Sequence, residues 1–178
     1  MYVALDIETT GLDTQTCQVL EIAMVVDVQG LSVRDCPVFH AIIRPEGLIV
    51  GEPYALAMNS RVLGLIADGK GHEWDGVVDD IQSWLTALVG HGMTATLLGK
   101  NVGSFDIQVM RRYPHWPSKF FSYHSLDVGS LYATPEGIKS QKQLMREFGQ
   151  DFDFPGNEHE AVYDARCSLA LARLKMGC

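Results

Sequence analysis

The sequence predicts one α/β domain on a five-stranded mixed sheet, a three-strand antiparallel meander plus two parallel strands, flanked by helices. Three observations predict it. Three apolar runs of strand character follow one another at short spacing before Pro45, as a meander requires. After Pro53 the apolar residues recur at helical spacing;. Two more strand-like runs are then set among helical segments, the alternation of an α/β fold.

Taken in order, MYVALDIE reads as a buried strand and VLEIAMVVDVQ (19–29) as the second. The segment GLSVRDC turns the chain into a third, PVFHAIIRP (37–45). Asn59 or Ser60 is placed to cap a short helix through Ile66, ahead of the glycine-rich break DGKGHEWDG;. From Val77 to Val89, the residues Val77, Val78, Ile81, Trp84, Leu85, Leu88 and Val89 follow the i, i+3, i+4, i+7 pattern of an amphipathic helix;. Trp84 is read as core there. TATLLGKN forms a buried strand entering a polar bend, SFDIQVMRRY a helix, and FFSYHSLDV the fifth strand. Helices are predicted near Ser130, from Lys139 to Phe148, and from Glu160 to Met176. No repeat or linker interrupts residues 1–178, which read as a single domain.

Composition narrows the function classes. Hydrophobic content of 47% and charged content of 20% are ordinary for a globular protein and argue against disorder;. No segment reaches the roughly 20 apolar residues that span a bilayer, so no membrane partner is expected. Nothing at the N-terminus has the pattern of a signal peptide. Cys17, Cys36, Cys167 and Cys178 show neither CxxC pairing nor zinc-like spacing. They read as reduced thiols of a cytoplasmic protein. The formal charge of -8 disfavours tight, non-specific binding to long nucleic acid. It leaves room for an enzyme that handles chain ends, because bound cations invert the local electrostatics of a carboxylate cluster.

The chemistry concentrates in three places. Asp6 and Glu8 lie two apart on the first strand, so they converge on one face;. Like charges so close raise each other's pKa, and a divalent cation relieves the conflict. Asp106 falls at a strand-to-helix junction, and His159 stands five residues before Asp164 at the entry to the last helix. Taken singly, each has an ordinary structural role, in a turn, a cap or a helix N-terminus.

Taken together, D-x-E on the first strand, F-D after a middle strand and H-x4-D at the last helix resemble the DEDDh family of 3'-to-5' exonucleases. The resemblance runs from Asp6 to the final helix and implies a ribonuclease-H-like fold. It implies that Asp6, Glu8, Asp106 and Asp164 hold two divalent ions, Mg2+ or Mn2+, and that His159 is the general base. It further implies that Thr9, Thr10, Gly11 and Leu12 meet the 3'-terminal nucleotide. There Gly11 would allow close backbone approach, a threonine would bond the sugar hydroxyl, and Leu12 would pack on the base. Asn101, Phe105 and Tyr123 are the other candidate substrate contacts. The implied activity is release of 5'-mononucleotides from single-stranded DNA or RNA ends, or from short oligonucleotides. Alternative readings are a proofreading subunit that acts only beside a polymerase, and a silent adaptor. The adaptor reading is favoured by loss of a motif residue, and all five are present.

Within that family, Asn101 lies five residues before Asp106, the spacing of oligoribonuclease, and RRYPHWPSKFFSYHSLDVGSL resembles its following segment. Tyr123 matches a tyrosine that in oligoribonuclease reaches across a homodimer, so a homodimer is an implied partner arrangement. The arginine beside that tyrosine is His124 here, which lacks a bidentate fork for phosphate. PYALAMNSRVL looks instead like small stand-alone exonucleases of bacteria and their phages.

Overall fold

The computed structural model describes residues 1–90, 92–149 and 152–177, and within them the five expected strands pair into one sheet. β1 (Tyr2–Thr9), β2 (Val19–Val26) and β3 (Val38–Ile42) form the antiparallel meander. β4 (Ala95–Gly99) runs parallel to β1, and β5 (Phe121–Asp127) parallel to β4. The order across the sheet is β3-β2-β1-β4-β5, so the strand carrying Asp6 and Glu8 is central. The helices are α1 (Pro53–Met58), α2 (Ser60–Ala67), α3 (Trp74–Val89), α4 (Asp106–Met110), α5 (Val128–Leu131), α6 (Gln141–Phe148) and α7 (Ala161–Met176). No helix among the described residues is long and apolar enough to cross a membrane.

Two apolar layers sandwich the sheet, and the alternation along β1 assigns its side chains between them. Val3, Leu5 and Ile7 join the core that α3 covers with Val77, Val78, Ile81 and Leu85. Ala4 joins the opposite core, with Ala165 and Leu169 of α7. Asp6 and Glu8 share the phase of Ala4 and so lie on the α7 face. All eight residues of β2 are buried, including Glu21.

Several boundaries differ from the sequence reading. The strand expected over 19–29 stops at Val26, because Arg173 takes Asp27 Oδ1 and the Val28 carbonyl and draws the chain toward α7. β3 is shorter than 37–45, since Ile43 leaves it to pair with His72. α1 is an additional helix, started by Pro53 at a position where a missing N–H costs nothing;. α3 begins at Trp74 rather than Val77. Trp74 packs edge-on against Tyr113 at 4.9 Å, and its indole N–H donates to the Pro114 carbonyl. Trp84 is half-buried against the same core, 5.8 Å from Phe39. The helix read into SFDIQVMRRY reduces to Asp106–Met110. α6 starts at Gln141 behind a capping box of Ser140 and Gln143;. Cys17, Cys36 and Cys167 are buried free thiols, and Cys178 lies outside the described residues.

Candidate active site

The site begins where β1 parts from its neighbours. The β1–β4 ladder ends at the Ala4–Leu98 pair. Gly99 passes so close to β1 that a Cβ there would lie 2.7 Å from the Leu5 carbonyl oxygen. β4 then leaves the sheet, and Asp106 takes its place: Asp106 Oδ1 accepts from the Ile7 N–H at 3.1 Å. This bond fixes the first residue of α4 against the strand carrying Asp6 and Glu8. On the other side the β1–β2 register slips between Glu8 and Thr9. Such bulges re-aim side chains at strand ends.

Asp164 arrives from the first turn of α7. Its Oδ2 accepts from the His159 backbone N–H at 2.9 Å, and its Oδ1 from Gln141 Nε2 at 2.9 Å. Gln141 also donates to the Asp164 carbonyl at 3.2 Å and accepts from Ser168 Oγ at 3.3 Å. His159 adopts a φ of 67°, a left-handed conformation that costs about 1–3 kcal/mol outside glycine and concentrates at functional loops. Glu8, His159 and Asp164 each offer a ligand atom within 4.8 Å of the others.

The electrostatics are those of an uncompensated acidic cluster. Burial pushes the Asp6 carboxyl well above the usual carboxylate range, and the charges of Asp106, Asp164, Glu8 and Glu21 push the same way. Burial raises Glu8 to about 7, with Asp164 adding to the effect and the Asn59 amide opposing it. Burial lifts Asp106 to about 7 despite the Ile7 N–H, and Asp164 to about 6 despite the His159 N–H. Among the described residues no lysine or arginine forms an ion pair with any of these four. Oxygen donors in this number, buried and unpaired with cations, fit hard divalent ions.

The expected substrate contacts separate into groups. Leu12 is 75% exposed, an apolar side chain held out at the end of the TTGL turn. Thr10 is fully buried, and its hydroxyl accepts from the Gln18 N–H at 3.0 Å. It braces the turn with its hydroxyl. Thr9 is 7% exposed, and its hydroxyl donates to the Gly11 carbonyl at 2.8 Å. Gly11 answers to Glu52, whose Oε1 would lie 2.8 Å from a Cβ there and accepts from the Leu12 N–H at 2.9 Å. Asn101 is exposed at a φ of 59° and organises its own bend, with its carbonyl accepting from Ser104 and Phe105 and its N–H donating to Asp127. Phe105 packs half-buried against the α3-side core. Tyr123 is 86% exposed on edge strand β5, with its ring 3.8 Å from that of His124.

Four residues with a part in this geometry escape the motif reading. Glu21 is buried directly opposite Glu8, and its signal was a lone charge inside the apolar run VLEIAMVV. Asn59 makes no side-chain cap bond at α2. Its Nδ2 instead donates to the Thr9 carbonyl at 3.1 Å. Glu52 and Gln141 act through side chains in segments with no motif at all.

A parallel-antiparallel sheet with a carboxylate cluster at the end of its central strand defines the ribonuclease-H-like architecture of nucleases. A family model for the RNase_T exonucleases matches residues 3–172, and the chain belongs to this exonuclease family. No curated protein sequence matches it. Among solved structures, E. coli exonuclease I in complex with a 5cy-dT13 oligonucleotide superposes with a TM-score of 0.67 at 19% identity, over 97% of this chain and 40% of its own. The moderately thermophilic exonuclease I from Methylocaldum szegediense gives a TM-score of 0.70 at 16% identity, over 97% and 39%. E. coli exonuclease I in complex with a dA16 oligonucleotide gives 0.66 at 17%, over 99% and 41%. At these identities the likeness is one of fold, and the chain spans about two fifths of those proteins' length.

Proposed function

We propose that this chain is a DEDDh-type exonuclease that removes 5'-mononucleotides from the 3' end of single-stranded nucleic acid. The observation that carries the proposal is the gathering of Glu8, His159 and Asp164 within 4.8 Å of one another, beside Asp6 and Asp106, with no lysine or arginine among the described residues in an ion pair with these carboxylates. Two neighbours of the same fold were solved with single-stranded dT13 and dA16 oligonucleotides, which supports single-stranded DNA as a substrate class.

Asp6, Glu8, Asp106 and Asp164 would hold two divalent ions, Mg2+ or Mn2+. When bound, such ions supply charge stabilisation to the attacking and leaving oxygens at phosphorus. His159 takes the proton of the attacking water at a ring nitrogen, as a general base. Its backbone N–H, donated to Asp164 Oδ2 at 2.9 Å, sets where that ring stands. Leu12, exposed at the turn, packs on the terminal base and holds the strand end over the carboxylates. The buried free thiols at Cys17, Cys36 and Cys167 support a reducing, cytoplasmic setting.

The test is a panel of a single-stranded oligonucleotide, a 3'-recessed duplex and a dinucleotide, each with magnesium, manganese or chelator. Shortening of the single strand with either metal, abolished by chelator and by Asp6→Ala, is the expected result. No shortening of any substrate with either metal would refute the proposal. Cleavage of the dinucleotide alone would replace it with the oligoribonuclease reading, in spite of His124.

A further inference from the structure

Glu21 is a fifth acid beside the four of the site. It faces Glu8 in the β1–β2 register, and directly opposed residues of an antiparallel pair have Cβ atoms about 5 Å apart on one face. Its carboxylate is 2% exposed, where an uncompensated charge would be strongly destabilising. Two side chains compensate it. His40 Nε2 lies 2.7 Å from Oε1, and Arg61 NH2 reaches Oε2 at 2.8 Å and Oε1 at 3.0 Å.

The use of Arg61 is one-sided. A single nitrogen serves both Glu21 oxygens, while Nε and NH1 make no hydrogen bond among the described residues. The side chain remains 43% exposed. A guanidinium carries five donors in a rigid fork, more than neutralising one carboxylate demands. Its place is also fixed. Asn59, two residues earlier, bonds the Thr9 carbonyl at 3.1 Å, so the start of α2 is tied to the strand end that carries Glu8. The free edge of Arg61 therefore sits, held by Glu21, next to an acidic cluster that must admit a polyanion.

We propose that Arg61 is a substrate-binding residue whose free N–H edge contacts a phosphate of the nucleic acid strand, with Glu21 as the anchor that fixes it. The proposal rests on the exonuclease reading above. It gives the site a cation for the strand in a chain of formal charge -8.

The competing role is that Arg61 does no more than neutralise Glu21. Removing both members of the Glu21–Arg61 pair separates the two, because the Glu21→Gln/Arg61→Met double variant leaves neither a buried carboxylate nor a guanidinium unpaired. Binding of a fluorescent single-stranded oligonucleotide is followed by anisotropy over a salt series, with calcium in place of magnesium. The double variant is expected to bind about tenfold more weakly, the worth of one charge-assisted hydrogen bond. Its slope of log K against log salt should be shallower by about 0.7. Glu21→Gln alone, which keeps the guanidinium but weakens its anchor, should lose less affinity than the double variant and keep the full slope. Arg61→Lys keeps the charge and serves if the double variant fails a circular-dichroism melting check; it should bind more weakly with an unchanged slope. Wild-type affinity and slope in the double variant, or in Arg61→Lys where that stands in, would overturn the proposal. So would a loss in Glu21→Gln equal to that of the double variant. A wild-type protein that neither binds nor shortens the oligonucleotide would instead refute the exonuclease reading itself.

Discussion

Replacing Glu8 with glutamine should stabilise the metal-free protein at neutral and alkaline pH while it removes a ligand. The Glu8 carboxyl is raised from the usual 4.5 to about 7, first by burial and then by the charge of Asp164. Between those two values the folded chain holds a proton that the unfolded chain has lost, so folding is favoured at the acid end. Stability then falls as pH rises toward the folded value, and the loss is complete above it. A shift of this size corresponds to about 3 kcal/mol at pH about 8 and to little below pH about 4.5. For a chain of this length that is a melting difference of about 6–12 °C. The assay is thermal melting of wild type and Glu8→Gln in chelator, at intervals between pH about 5 and about 8. The wild type should lose ground to the variant steadily across that window, and saturating magnesium should restore it. Parallel curves for the two proteins would refute the reasoning that Glu8 is a buried, uncompensated carboxylate.

Further outcomes follow from the same geometry. Gln141→Leu removes the donors at 2.9 and 3.2 Å to Asp164. Manganese affinity by titration calorimetry should fall by about 10–100-fold, the usual cost of losing a residue that orients a ligand. His159→Ala should lower turnover by about 10²–10⁴-fold with manganese affinity little changed, checked by single-turnover kinetics beside the same calorimetry. Gly51→Ala would place a Cβ 2.2 Å from the Thr10 carbonyl oxygen, which also accepts from the Glu52 N–H. The clash should cost about 1–3 kcal/mol, read as a lowered unfolding midpoint in urea.

The sheet was legible because each strand carries its own pattern. The runs at β1 and β2 are nearly continuous apolar segments flanked by turns, and the short links between the first three strands left antiparallel pairing as the economical topology. The five motif residues stand out as a set through their resemblance to a family pattern, and they fall on a central strand, at a helix start, and at the entry and first turn of a final helix. What supports them was not. Gln141 reaches Asp164 across 23 residues of sequence and Asn59 reaches Thr9 across 50, and neither distance leaves a local periodicity. Thr10 is a further case: no local pattern in TTGL shows that its hydroxyl closes the turn onto the Gln18 N–H. Trp74 stands one turn before the first aliphatic pair, Val77 and Val78, so aliphatic periodicity alone starts the helix too late to include it.

On the proposed reading, Asp6, Glu8, Asp106, Asp164 and His159 form one site that digests a strand from its 3' end. The most direct measurement follows a single-stranded oligonucleotide labelled at its 5' end, with magnesium, in the wild type and in Asp6→Ala. A descending ladder in which the label stays on progressively shorter products, absent in the variant, is the expected result. Release of the label as a mononucleotide from the outset, or an equal ladder from Asp6→Ala, would contradict the account.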